Sequence, residues 1–147
     1  MNSLRDVEYR KGLAEGFLKE AEEDIQLKRW RSCVDNAQLS VENSGKAVLS
    51  LFGVSPKTHE PAKHLTIILE DPELPKDIVN SIKDMMPDLL ALGLEEHFMT
   101  DYGDESSYEL PWELYDENSA NQALGAARRC YAKAVMIVQM IHERRSN

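Results

Sequence analysis

The sequence predicts an all-α fold, an up-and-down bundle of four to five helices, and three observations predict it. Apolar and small residues recur at three-and-four spacing over long stretches. No stretch alternates apolar and polar residues for the length of a strand, and there is no internal repeat. Breakers such as Gly53, Pro56 and Asp71-Pro72 stand at the ends of the periodic stretches. A length of 147 residues, with 42% hydrophobic content, suits a single domain over 1–147 built on one core.

The first helix is expected over residues 4–26, where Leu13, Phe17, Leu18, Ala21 and Ile25 share a face among Lys and Glu. A basic cluster, 28–31, then surrounds Trp30. The second helix, 31–52, has apolar or small residues at 34, 37, 41, 44/45, 48 and 52, and Gly53 and Pro56 stop it. On it Glu42 and Lys46 stand four apart, in the favourable order for a surface ion pair. A loop over 53–61 leads to a short helix at 62–69, which Asp71-Pro72 ends.

A third longer helix begins near Pro75, since proline suits a first turn, and carries Ile78, Val79, Ile82 and Met86 until Pro87 interrupts or restarts it. Leu89, Leu90, Leu92 and Leu94 supply a short apolar helix to about residue 98. Residues 100–117 have no period and mix acids with aromatics, which predicts an acidic aromatic loop. The final helix, 118–144, takes Asn118 or Ser119 as its cap and buries Ala120, Ala123, Leu124, Ala127, Tyr131, Ala134, Val135, Val138 and Ile141. Its alanines and the small-faced second helix predict a close antiparallel pair.

Charge is unevenly distributed. Between Lys83 and Arg128 there are eleven acids and no Lys or Arg, and removing those charges from the net −9 leaves +2 for the rest of the chain. Such a surface repels phosphate backbones, so no DNA partner is expected. The first residues lack an apolar signal core and no apolar run approaches a bilayer span, which predicts a soluble, cytoplasmic protein with no membrane partner. Cys33 and Cys130 read as buried free thiols.

Several strings together resemble the HEPN domain family: Trp30 to Ala37, Val41 to Ala47, Phe52 to Pro56, and His64 to Leu69. The C-terminal third is similar to a non-nuclease branch of that family, in the order Tyr102, Asp104, Pro111, Tyr115, Ala120, Ala123, Leu124 and Ala127. Asp101 stands where many members carry an arginine. HEPN domains are small all-helical modules of prokaryotes that act beside nucleotidyltransferases or as ribonuclease toxins of toxin–antitoxin pairs. The resemblance implies a homodimeric binding module with a nucleotidyltransferase-type partner. It also implies a nucleotide in a groove near His64, Tyr102, Asp104, Arg128 and Arg129.

HEPN ribonucleases carry an Arg, then four to six intervening residues, then a His. The positions at that spacing before His59, His64, His97 and His142 hold no Arg, so the signature is absent. The chain therefore reads as a binding protein and not an enzyme, with a diverged metal-independent ribonuclease or a dimeric scaffold as the alternatives. No catalytic residue, cofactor or metal is expected. The string His59 to His64 has one residue too many for a zinc helix motif and contains Pro61, no Glu stands three before a His, and Asp101, Asp104 and Glu105 read as solvated. Tyr108, Trp112 and Tyr115 either cover the bundle's own core or anchor a partner, whose surface would then be basic.

Overall fold

Seven helical segments follow one another along the described residues, 3–54 and 57–146, of this computed structural model. Ser55 and Pro56 of the expected interhelical loop lie outside those residues, as do Met1, Asn2 and Asn147. The elements are α1 Ser3–Gln26, α2 Trp30–Leu51, α3 Pro61–Ile68, α4 Lys76–Ala91, α5 Leu94–Tyr102, the single turn α6 Pro111–Leu114, and α7 Glu117–Ser146.

Side-chain bonds fix the direction of each helix. Ser40 Oγ of α2 donates to the Ala14 carbonyl of α1 at 2.7 Å, and Arg10 Nη1 donates to Asn43 Oδ1 at 3.2 Å, so α1 and α2 are antiparallel. Asp88, Asp84 and Asp77 of α4 meet Arg129, Lys133 and Arg144 of α7 in opposite order, so that pair is antiparallel too. The predicted pairing of α2 with α7 is present, but its sense is opposite to the expectation. Cys33 lies 3.8 Å from the Ala120 carbonyl at one end, and Arg145 Nη2 donates to the Leu51 carbonyl at 2.6 Å at the other, so the two run parallel. The physical reason is that α4 intervenes between them and uses the reversal: in an up-and-down order, elements two apart share a direction.

Helix α2 touches every other helix. Fifteen of its 22 residues are buried, which is why small side chains occupy it nearly all round. Its Ala37, Val41 and Val48 join Ala120, Ala123, Ala127, Cys130 and Ala134 of α7 in one core, which Val7, Leu18 and Ala21 of α1 and Ile78, Ile82, Met85 and Leu89 of α4 complete. Gly45 is required by close approach: a Cβ there would lie 2.9 Å from Pro61 Cβ, 2.8 Å from its Cγ, and 2.9 Å from Leu89 Cδ2. Lacking that atom, α2 lets the start of α3 and the end of α4 reach its axis.

Two other expectations change. Pro87 lies inside α4 without ending it. Proline removes the bond to the Lys83 carbonyl, yet Pro87 and Lys83 are both exposed, on the side where solvent can take the place of that bond, while Ile82, Met85 and Leu89 continue the buried stripe. The break falls instead at Leu92 and Gly93, so Leu89 belongs to α4 and Leu94 opens α5. Helix α7 is capped earlier than predicted: Asp116 Oδ1 accepts the Ser119 N–H at 2.8 Å, and Ser119 Oγ accepts the Asp116 N–H at 3.4 Å.

The acidic aromatic segment is more ordered in its backbone than a plain loop. It begins inside α5, and Asp104 and Glu109 then exchange backbone bonds of 2.9 and 3.0 Å. Gly103, at φ +75°, makes this closure possible, because a Cβ there would stand 2.1 Å from the Glu109 carbonyl oxygen. Among the described residues no helix is long and apolar enough to cross a membrane.

Candidate functional site

The turn between α1 and α2 is shaped by Asp24. Its backbone carbonyl accepts the N–H groups of Leu27 and Arg29 at 3.1 and 2.9 Å, while its buried carboxylate accepts Ser32 Oγ at 2.7 Å and Asn36 Nδ2 at 2.8 Å. Lys28 takes a left-handed backbone conformation, φ 58°, to complete the reversal. The basic cluster seen in the sequence thereby sits on the N-terminus of the central helix, where Arg29 provides no side-chain cap. First-turn N–H groups of α2 and its positive dipole end face the same side.

Over this turn lies a concavity of 530 Å³ lined by Lys28, Arg29, Trp30, Arg31, Ser32, Trp112 and Tyr115. Arg31 Nη1 donates to the Thr100 carbonyl at 2.8 Å, and its guanidinium lies 5.8 Å from the Trp112 ring centroid. That contact holds α6 beside the turn. Below it Thr100 Oγ1 donates to Asp35 Oδ1 at 3.0 Å, and burial pushes the Asp35 carboxyl up from its ordinary range. Tyr115 donates to Glu96 Oε2 at 2.7 Å, and burial together with that carboxylate pushes its phenol up. Three cationic side chains and two indoles thus share one opening.

Residues predicted for the ligand and partner sites are scattered around the molecule. Arg128 pairs with Glu22 of α1 at 3.5 Å, whereas Arg129 forms a two-bond pair with Asp88 of α4 at 3.0 and 3.3 Å; the two arginines leave α7 on opposite sides. Arg129 borders a second concavity of 640 Å³ between α4, α5 and α7, with Asp88, Glu96, Tyr115 and Gly125. A third, of 320 Å³, lies between α3 and α4. His64, Tyr102, Asp104 and Arg128 line none of the three. Asp104 turns its carboxylate onto Ser106 and Ser107, whose bonds, Ser106 Oγ foremost, hold it below the usual carboxylate range. Tyr108 and Trp112 are 90% and 70% exposed, while Tyr115 packs inward against the core.

A second polar group was not foreseen from the sequence. Glu42, read as half of a surface pair, is only 4% exposed, and Lys46 Nζ lies 3.3 Å from its Oε2. His59 Nδ1 lies 3.2 Å from Glu42 Oε1, Gln38 Nε2 donates to the same oxygen at 3.3 Å, and His97 Nδ1 lies 3.3 Å from Gln38 Oε1. The two imidazoles stack with centroids 4.3 Å apart and planes at 22°. The signal available was the i,i+4 pair Gln38 and Glu42 on a helix whose other faces are nearly all small. His59 and His97 carry no such signal, because only the fold brings the start of α3 and the middle of α5 to one place.

Bundle and turn together define a small all-helical module with a basic, aromatic-walled opening beside its central helix. The HEPN domain model matches residues 7–141, and the chain belongs to the HEPN domain family. Two solved structures share the fold. TT1696 from Thermus thermophilus is 20% identical, with a TM-score of 0.63 over 93% of this chain and 99% of that one. ST0689, an archaeal HEPN homologue, is 21% identical, with a TM-score of 0.58 over 92% and 97% of the respective chains. No curated protein matches the chain.

Proposed function

We propose that this chain is a non-catalytic binding module of the HEPN family that takes a nucleotide at the α1–α2 turn and works as a homodimer beside a nucleotidyltransferase-type protein. The carrying observation is the opening in which Lys28, Arg29 and Arg31 share a wall with Trp30 and Trp112. A phosphate group calls for compact positive charge and unpaired N–H donors, and a base calls for a flat apolar ring. This turn offers both within one nucleotide-sized volume. It is favoured over the His64 to Arg129 set because Arg128 and Arg129 lie 3.5 and 3.0 Å from the Glu22 and Asp88 carboxylates, whereas Arg29 and Arg31 approach Asp24 and Asp101 only to 4.0 and 3.9 Å and Lys28 adds a third charge. The absent Arg-to-His spacing supports binding over cleavage.

The partner reading rests on the neighbouring surface. Tyr102, Tyr108, Leu110 and Trp112 are exposed along a segment that also carries Asp101, Glu105, Glu109 and Glu113. Rings supply contact area and carboxylates supply sign, so a complementary partner presents basic side chains around apolar hollows.

The test is an anisotropy titration of the full chain with a fluorescent ATP analogue. Saturable binding is expected, weakened by about tenfold or more in Arg29→Ala and Trp112→Ala, the size of one lost charge-assisted contact. Circular dichroism of both variants should match the parent. Absence of binding at about 1 mM, a weak limit for a specific site, or equal affinity in Arg29→Ala, would overturn the reading. Sedimentation at micromolar concentration decides the homodimer.

A further inference from the structure

We infer that Glu42, His59 and His97 form a binding site for one divalent transition-metal ion of the zinc class. One ligand atom from each, a carboxylate oxygen and two imidazole nitrogens, can be chosen so that all lie within 4.8 Å of one another. The His59 Nδ1 to Glu42 Oε1 distance, 3.2 Å, already matches the edge of about 3.3 Å expected for a tetrahedron with bonds near 2.0 Å. Two imidazoles and one carboxylate are a donor set that zinc accepts with its fourth position left to water.

The surroundings suit a ligand set better than an accidental contact. Gln38 bridges the group, donating to the Glu42 carboxylate and offering its amide oxygen to His97 Nδ1, which orients both as outer partners of a metal site do. Lys46 engages Oε2 of Glu42, while Oε1 takes the Gln38 amide and faces His59 Nδ1. Access is graded: Glu42 is buried, His97 half-buried and His59 54% exposed, so an ion has an entry path and a fixed floor. His59 precedes α3, and coordination would take its ring out of the stack on His97 so that both rings point a nitrogen at the ion. This site lies on the α3 and α5 side of α2 and is independent of the nucleotide reading at its N-terminus.

The experiment is calorimetric titration of the chelator-stripped full chain with zinc chloride, paired with thermal melting. The expected result is one ion per chain with a Kd of about 1 μM or tighter, and a melting temperature that rises with zinc. Because Glu42 is buried, the two histidine variants are the decisive ones. His59→Ala and His97→Ala, each with parental helix content, should each weaken binding by at least about tenfold, while His64→Ala and His142→Ala leave it unchanged. Cobalt(II) in place of zinc should give visible absorption that both site variants lose. No heat at about 100 μM zinc, well above any specific site of this type, overturns the proposal. So does binding that survives His97→Ala, or that falls equally in all four variants.

Discussion

Asp35 and Asp116 show how single carboxyl groups in this protein respond to pH in opposite directions. Burial raises Asp35, so its ionised form opposes folding once the pH rises through the window between the ordinary carboxylate value and its raised one. Asp35→Asn keeps an oxygen for Thr100 Oγ1 and should melt higher than the parent at pH 7, the gain vanishing below about pH 4. Asp116 is lowered, chiefly by the Ser119 backbone N–H, and its contribution is present above the ordinary value and lost as the pH falls through the depressed one. Asp116→Ala should therefore melt lower at neutral pH and converge with the parent in strong acid. Burial pushes the Cys33 thiol up to about 11 and raises Cys130 further in the same direction. Neither should react with a thiol reagent at pH 8 in the folded protein, and both should react after denaturation.

At the scale of elements, Gly45 tests how closely α2, α3 and α4 meet. Alanine would gain up to about 1 kcal/mol of helix propensity, but its Cβ would press on the rigid Pro61 ring, and overpacking costs about 1–3 kcal/mol. A net loss of about 1 kcal/mol is expected, seen as a lower urea midpoint with unchanged slope. The extents of α1, α2, α4 and α7 were largely legible because each repeats its apolar positions over several turns. Pro87 misled because its consequence depends on which side of the helix faces water, and periodicity does not weigh that. The sense of the α2 and α7 pair was also hidden, since small faces specify contact but not direction. Glu42 was misread for a related reason: an i,i+4 charge pair looks alike in sequence whether solvent or a second helix covers it.

For the molecule as a whole, the contact of α2 with every other helix means that no helix can leave without uncovering it. Far-ultraviolet ellipticity and tryptophan fluorescence should therefore report one coincident thermal transition, with Trp30, packed against the core, as the fluorescent witness. The charge count shows an acidic stretch and a basic cluster far apart in the chain, and the fold sets them side by side, with Arg31 Nη1 3.9 Å from Asp101 Oδ1. The meeting of Trp112 with Arg31 was not visible there, because it depends on how α6 folds back over the α1–α2 turn.

The bond from Arg145 to the Leu51 carbonyl has a consequence for anyone who shortens or tags this protein. Helix C-termini expose carbonyls that draw cations, and here the cation comes from the far end of the longest helix, like a cork seated by its own string. Removing the last three residues would leave the mouth of the central rod open to water, and the damage should register first as faster amide exchange at Phe52, Gly53 and Val54, whose N–H groups close that same turn.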